Sequence, residues 1–498
     1  MALRQSGLRG TLAAVAFVAI VLAASLSVSA HRRTPAEPAR ANVIVVGPDA
    51  ARAAARHGKV RARLPIVGGV SADVPSSELH ALAAERGVTL VSPNVPMIRT
   101  GWSTSAGANL VTNYPIADDA PRAWDLGYAG SGVGIAVIDS GVAANPDFGA
   151  RLVQVRLPGQ ADSIDDADGH GTLVAGIAAG SSADGHFKGI APGASVYAIN
   201  VSRNGTSVYS SDVITALQWV LENAHTYNIR VVNLSVSETV PSSYKASLLD
   251  LAVERVWAAG IEIVVAAGNT GTAPNTVNYA PANDPLVLTV GGLDDKGTAK
   301  LGDDTIASFS ARGTTMDGAV KPELLAAGRL VASILKPGSY LDAQAPAANR
   351  VAPGYATISG TSFAAPQVAG AAAIEFQLHP GWSPDEVKYV LIDRARTVQA
   401  GGITSLDVGA TVNVWSPAGR ANQNVSALVC PPGGTCLAGS TVASSWNSST
   451  WNSSTWNSST WNSSTWNSST WNSSTWNSST WNSSTWNGLA DWSYTTWN

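Results

Sequence analysis

Gly360-Thr361-Ser362-Phe363-Ala364-Ala365-Pro366 sets a hydroxyl in a Gly/Thr turn that leads straight into an Ala-rich apolar run reaching Phe376. Such a pattern is a turn entering a buried helix, with Ser362 at the helix N-terminus. Backbone N–H groups without helical acceptors and the positive end of the helix dipole gather there. A nucleophile so placed sits where developing negative charge is stabilised. The same residues would serve equally well as a simple helix cap. Which applies depends on whether a base, an orienting acid and an oxyanion donor stand elsewhere in the chain.

Around this stretch, from about residue 120 to 400, apolar strand-like runs alternate with helical ones. Strands are expected at Val133–Ile138, Ser195–Val201, Arg230–Leu234, Ile261–Ala266, Leu286–Val290 and Leu330–Ile334. Helices are expected at Thr172–Ala179, Ser211–Tyr227, Ala246–Ala259, Phe363–Leu378 and Pro384–Arg394. Strands apolar on both faces that alternate with helices imply an α/β fold: a doubly wound, mostly parallel sheet covered by helices on both faces. In such sheets, sites form at the carboxyl ends of strands.

Three further motifs fall at such ends. Gly134-Ile-Ala-Val-Ile-Asp139-Ser-Gly141 puts a carboxylate directly after a buried strand, with a glycine for the turn. Asp168-Gly-His170-Gly-Thr172 places an imidazole between two glycines at the start of a helix. Val264-Val-Ala-Ala-Gly268-Asn269 ends another strand in a side-chain amide. Singly, each reads as an ordinary turn or cap. Together they supply one mechanism: Ser362 as nucleophile, His170 as base, Asp139 to fix the imidazole, and Asn269 to hold an oxyanion.

These motifs, in the order Asp…His…Ser, resemble those of the subtilisin-like serine proteases, the subtilases. Asn145-Pro146-Asp147, Gly189-Ile-Ala-Pro-Gly-Ala194 and Lys321-Pro322-Glu323 add to the likeness. The resemblance implies a serine endopeptidase acting on polypeptides, with Asp139, His170 and Ser362 as triad and Asn269 as oxyanion donor. It implies that Ser235, Val236 and Ser237 form an edge to which substrate adds as a strand, with Gly268 bordering the specificity pocket. It also implies that the module at 42–98 is an inhibitory propeptide, removed by the enzyme itself within the linker at 99–119. Three departures stand out. Leu173 replaces a frequent second His, Phe363 a commoner Met, and Ser237-Glu238 a pair of glycines that border the cleft. No cofactor is required for the chemistry. Asp147 and Asp184 are candidate ligands for a structural calcium, with solvated surface carboxylates as the plainer reading. The acidic run Asp162, Asp165, Asp166, Asp168 is read as solvated.

The rest of the chain reads by composition. Charged residues make up 13% of the 498, and the formal net charge of −4 singles out neither nucleic acid nor a membrane surface. No nucleic-acid partner is expected. Residues 1–30 have the basic start, apolar centre and small-residue end of a signal peptide, so the protein is expected to be secreted; a retained anchor is the alternative. Residues 42–98 suggest a small α+β unit of order β-α-β-α-β: strand Val43–Val46, helix Ala50–His57, an extended Leu64–Val74, a helix opened by Pro75-Ser76-Ser77-Glu78, and strand Val88–Val91. Its His57 and His80 are read as solvated. Residues 401–445 read as a polar linker. Cys430 and Cys436 within it are either idle thiols or a short local disulfide, which secretion favours. Residues 446–498 repeat Trp-Asn-Ser-Ser-Thr and hold eleven of the 17 tryptophans. A five-residue period presents no single face to a core. The tail is either a low-complexity stalk or a multivalent binder of glycan or cell wall, for which a silent peptide-binding or adhesive protein is the rival reading of the whole chain.

Overall fold

The computed structural model describes residues 39–99, 114–157, 164–202, 207–298, 301–398, 404–429 and 435–436. The segment read as a signal peptide and the repeat tail lie outside the described residues, as does Cys430.

Residues 39–93 form a four-stranded antiparallel sheet of order β2-β3-β1-β4. The strands are β1 (Arg40–Val46), β2 (Lys59–Leu64), β3 (Gly69–Pro75) and β4 (Leu90–Pro93). Two helices, α1 (Ala50–His57) and α2 (Leu79–Ala83), cover one face through Ala50, Ala53, Ala54, Leu79 and Leu82. The extended segment expected at Leu64–Val74 is instead the last residue of β2, a turn and most of β3. Pro65 sets a short 3-10 turn over Pro65–Val67, closed by Gly68 in the left-handed region, and the chain doubles back. A run of apolar residues does not reveal such a turn unless the Pro and Gly at its ends are given weight. His57 is not solvated: it sits between the carboxylates of Glu78 and Glu85, which hold its pKa above the usual histidine range.

After β5 (Pro96–Arg99) the chain enters the large sheet, which has ten strands. Its main strands are β6 (Gly134–Asp139), β7 (Leu152–Val155), β8 (Ser195–Asn200), β10 (Ile229–Leu234), β12 (Glu262–Ala266), β13 (Leu288–Asp294) and β14 (Leu324–Ala327). They run parallel in the order β7-β8-β6-β10-β12-β13-β14. Alternate side chains serve two cores. Ile135, Val137, Val264 and Ala266 pack under α3 (His170–Ala179) and α6 (Thr361–Leu378). Ala136, Ile138, Ile263 and Val265 pack under α4 (Ser210–Tyr227) and α5 (Leu248–Ala258). Burial on both faces is why these strands read as unbroken apolar runs.

Two elements differ from the sequence reading. The segment expected as a sheet strand at Leu330–Ile334 is β15 (Val331–Ile334), but it pairs with β17 (Tyr355–Ile358), which in turn pairs with β16 (Arg350–Ala352), in a separate antiparallel sheet. The large-sheet strand in this region is β14, whose Leu-Leu-Ala-Ala gives no strand signal of its own. The polar linker expected at 401–445 is, where described, packed structure. Leu406, Val408 and Val412 enter one core and Leu428 the other. Glu254 accepts the backbone N–H groups of Leu428 and Val429. These apolar residues are spaced singly among turn residues, so no period announced them.

Candidate active site

β6 ends at Asp139, and the chain turns at Gly141 with φ of 101°. Asp139 Oδ1 accepts Ser140 N–H at 2.7 Å and faces His170 Nδ1 at 2.8 Å. Both side chains are almost wholly buried. Gly171 makes this approach available. A Cβ there would overlap the Gly141 carbonyl oxygen and press on Asp139 Cβ. The glycine beside the histidine is thus a matter of clearance.

His170 opens α3, and Asp166 fixes that opening. Asp166 is fully buried. Its Oδ1 accepts Ser140 Oγ at 2.8 Å and Gly169 N–H at 2.7 Å. Its Oδ2 accepts Thr172 N–H at 2.8 Å and Thr172 Oγ at 2.6 Å. Ser140 Oγ also accepts Gly171 N–H. One carboxylate therefore ties the residue after Asp139 to the residues on either side of His170. Burial outweighs these four bonds and raises the pKa of Asp166. The acidic run read as solvated is thus corrected in part. Asp166 and Asp168 are buried, Asp165 pairs with Lys336, and Asp162 lies outside the described residues. The available signal was spacing: an Asp four before the His and a Thr two after it bracket the helix start.

Ser362 is the second residue of α6, with its side chain buried beside His170's helix; Phe363 and His170 have ring centroids 5.3 Å apart. Asn269 Oδ1 accepts Thr361 N–H at 2.9 Å, and Thr361 Oγ accepts Gly268 N–H at 3.1 Å. The loop after β12 is thereby locked to the first turn of α6. Pro366 lies inside that helix and has no N–H for the carbonyl of Ser362. Ser235 Oγ donates to that carbonyl instead, at 3.2 Å, while Asn233 donates to Ser235. The proline that interrupts the sequence pattern is thus compensated from the end of β10. Asp139, His170, Ser362, Asn269, Gly268 and Ser235 all meet at the carboxyl end of the sheet.

Beyond Ser235 runs β11 (Val236–Glu238), and β5 is paired with it antiparallel: Val236 opposite Arg99, Ser237 opposite Ile98, Glu238 opposite Met97. On its other side β5 pairs with β9 (Val208–Tyr209). The module's remaining contacts lock it in place. Asn94 Oδ1 accepts Ser211 N–H at 2.9 Å and its Nδ2 donates to Ser211 Oγ at 2.7 Å, at the start of α4. Ile44, Val46, Leu64, Ile66, Val67 and Met97 join the core under α4 and α5. Glu238, read from the sequence as bordering the cleft, is buried; lost solvation pushes its pKa up to about 7. Asp147, a candidate calcium ligand, accepts the Tyr355 hydroxyl, and Asp184 accepts Ser182 Oγ and His186 N–H. Among the described residues no group of three or more His, Cys, Asp or Glu is arranged to hold a metal ion. No described helix is long and apolar enough to cross a membrane.

This sheet and the polar groups gathered at its carboxyl end define a serine endopeptidase of the α/β class. The subtilase family profile matches residues 130–413. Serine protease AprX of Bacillus subtilis (strain 168) is 34% identical over 353 residues, covering 68% of this chain and 76% of that protein. Subtilisin Savinase of Lederbergia lenta is 32% identical over 294 residues, covering 59% of this chain and 93% of that protein. Fervidolysin from Fervidobacterium pennivorans, a keratinolytic enzyme related to subtilisin, shares the fold. It superposes with a TM-score of 0.59 at 22% identity, covering 77% of this chain and 62% of that one. The chain belongs to the subtilase family, and its substrates are polypeptides.

Proposed function

We propose that the protein is secreted as a precursor and matures by its own activity, with Ser362 as nucleophile, His170 as base and then acid, Asp139 as its orienting carboxylate and Asn269 as oxyanion donor. The observation that carries this reading is the buried Asp139–His170 hydrogen bond lying against the first turn of α6. Asp139 accepts from Nδ1–H, which leaves Nε2 as the basic nitrogen. As Ser362 Oγ adds to the peptide carbonyl carbon, its proton passes to His170 Nε2 and the carbonyl π pair moves to oxygen. Asn269 Oδ1 is committed to Thr361 N–H, so Nδ2 is the donating end of that amide. It stabilises the oxyanion together with the Ser362 N–H at the positive end of α6. Collapse expels the amine, protonated by His170; water then repeats the sequence and releases the acid.

Residues 42–98 act as the inhibitor. The antiparallel pairing of β5 between β9 and β11 supports this, because a substrate chain binds a sheet edge in the same way. Ser235, Val236, Ser237 and Gly268 then line the substrate cleft, and the bond cut on maturation lies in the residues that follow Arg99. The steps use groups of the polypeptide alone, so the chemistry itself calls for no cofactor. The apolar stretch at the N-terminus supports export, and the repeated tryptophans support contact of the tail with glycan or cell wall. A silent peptide-binding module would not need the His170–Asp139 pair.

N-terminal sequencing of the secreted product tests the reading. Wild type is expected to begin beyond Arg99 and to label with a fluorophosphonate. Ser362→Ala is expected to keep the module and to lose about 10⁶ in kcat, the scale measured for triad removal in subtilisin itself. Processing and turnover of casein by purified Ser362→Ala would overturn it.

A further inference from the structure

Directly paired residues on antiparallel strands project to the same face of a sheet. Met97 is paired with Glu238 on one side and with Val208 on the other. All three are buried, whereas the next residue, Ile98, is 54% exposed. The Val208–Met97–Glu238 row therefore faces the body of the protein. On that face the two walls of the cleft meet. Ser210, the residue after β9, donates its hydroxyl to Glu238 Oε1 at 2.7 Å, across the width of the slot that β5 fills. Met97 thus stands over a floor of one carboxyl and one hydroxyl. Asp250 on α5 is fully buried, and burial first, then the charges of Asp284 and Glu238, raise its pKa.

Nothing in a thioether calls for a carboxyl beneath it. A buried carboxylate without a cation is costly, and Glu238 under Met97 answers that cost by holding its proton. An unbranched cationic side chain of similar length would reverse the balance. It would bring a donor and a charge to Glu238. We propose that Glu238, with Ser210, makes the mature enzyme select Lys or Arg at the substrate position that Met97 occupies in the precursor. Met97 is then an uncharged placeholder, long enough to fill the slot and lacking the group that would fix it there. The inference rests on the reading of Val236–Glu238 as the substrate edge.

Two synthetic peptides with the sequence of residues 92–106, one unaltered and one carrying Met97→Lys, keep the register of β5 while changing only this contact. kcat/KM for cleavage beyond Arg99 is read by mass spectrometry at pH 8.5, with fluorophosphonate titration counting active enzyme. Wild type is expected to cleave the Met97→Lys peptide about tenfold faster or more, the scale of one charge-assisted bond. Glu238→Gln is expected to bring the ratio close to one. A wild type that cleaves both peptides equally, or a ratio unchanged in Glu238→Gln, overturns the assignment of Glu238 and leaves the peptidase reading standing. A wild type that cleaves neither peptide and takes no label overturns both. Should Glu238→Gln fail to label, a Met97→Gln peptide decides with wild type alone: it is expected to behave as the Met peptide, and a gain equal to that of Lys overturns the proposal.

Discussion

The cluster around His170 and the edge strand Val236–Glu238 are neighbours built in opposite ways. In the first, buried side chains carry the contacts. Asp139 holds His170, Asp166 holds the turn on either side, and Asn269 holds Thr361. In the second, the main chain carries the contact, and its partner is a strand of the same polypeptide that is proposed to leave. The first is rigid before substrate arrives, as electrostatic stabilisation of a transition state requires. The second is exchangeable, because backbone pairing accepts any extended chain and leaves selection to the pockets beneath.

The contrast can be broken by mutation, and the rigid side is expected to yield the larger effects. Asp139→Asn, which replaces the orienting carboxylate and spoils the tautomer, is expected to lower kcat by about 10⁴ with the fold intact, measured on a chromogenic peptide. Asn269→Ala is expected to cost about 10²–10³ in kcat with little change in KM. Asp166→Ala removes the acceptor of four hydrogen bonds without touching substrate. The His170 turn then relaxes, and a loss approaching 10² in kcat is expected, together with a shifted acid limb of the pH–rate profile. An unshifted limb with lowered thermal stability alone would reduce Asp166 to a structural cap.

On the exchangeable side the effects are smaller and appear in inhibition rather than turnover. Asn94→Ala in the isolated module, added to mature enzyme, is expected to weaken inhibition about tenfold, the size of one lost helix cap of about 1 kcal/mol or slightly more. The smallest is a pH effect. Under β5 the Glu238 pKa is raised to about 7 by burial. The covered state then binds the extra proton, so inhibition is strongest at mildly acid pH and declines as pH rises through about 7. Asp250 on α5 is also raised, by burial first and by Asp284 and Glu238 next. A Ki for the module that is flat between pH 5.5 and 8.5 in wild type would remove Glu238 from this role.

The helices that open at His170 and Thr361 were legible in the sequence because their local requirements are stringent. Gly169 and Gly171 around His170, and Gly360-Thr361 before Ser362, answer to clearance and to helix starts, which a few adjacent residues decide. Asp166 was in plain view and misread, because an acidic run looks the same whether water or four donors surround it. β14 and the packed pieces of 404–429 were illegible for a different reason. Leu324–Ala327 and the scattered Leu406, Val408 and Leu428 have no period of their own and take their places only where a sheet or helix already waits.

The sequence by itself determined the candidates for the chemistry: which carboxylate, imidazole, hydroxyl and amide, in which order, at the ends of which buried runs. Those residues must each satisfy a local backbone geometry, and local geometry is written in neighbours. Tertiary structure alone decided what pairs with the edge Val236–Glu238. The pairing of Met97 with Glu238 joins residues far apart in the chain through backbone groups that every residue carries, and no side-chain pattern encodes such a partner. Only the folded module, held by Asn94 on α4 and by Ile66 and Val67 beneath it, brings β5 to that edge in that register.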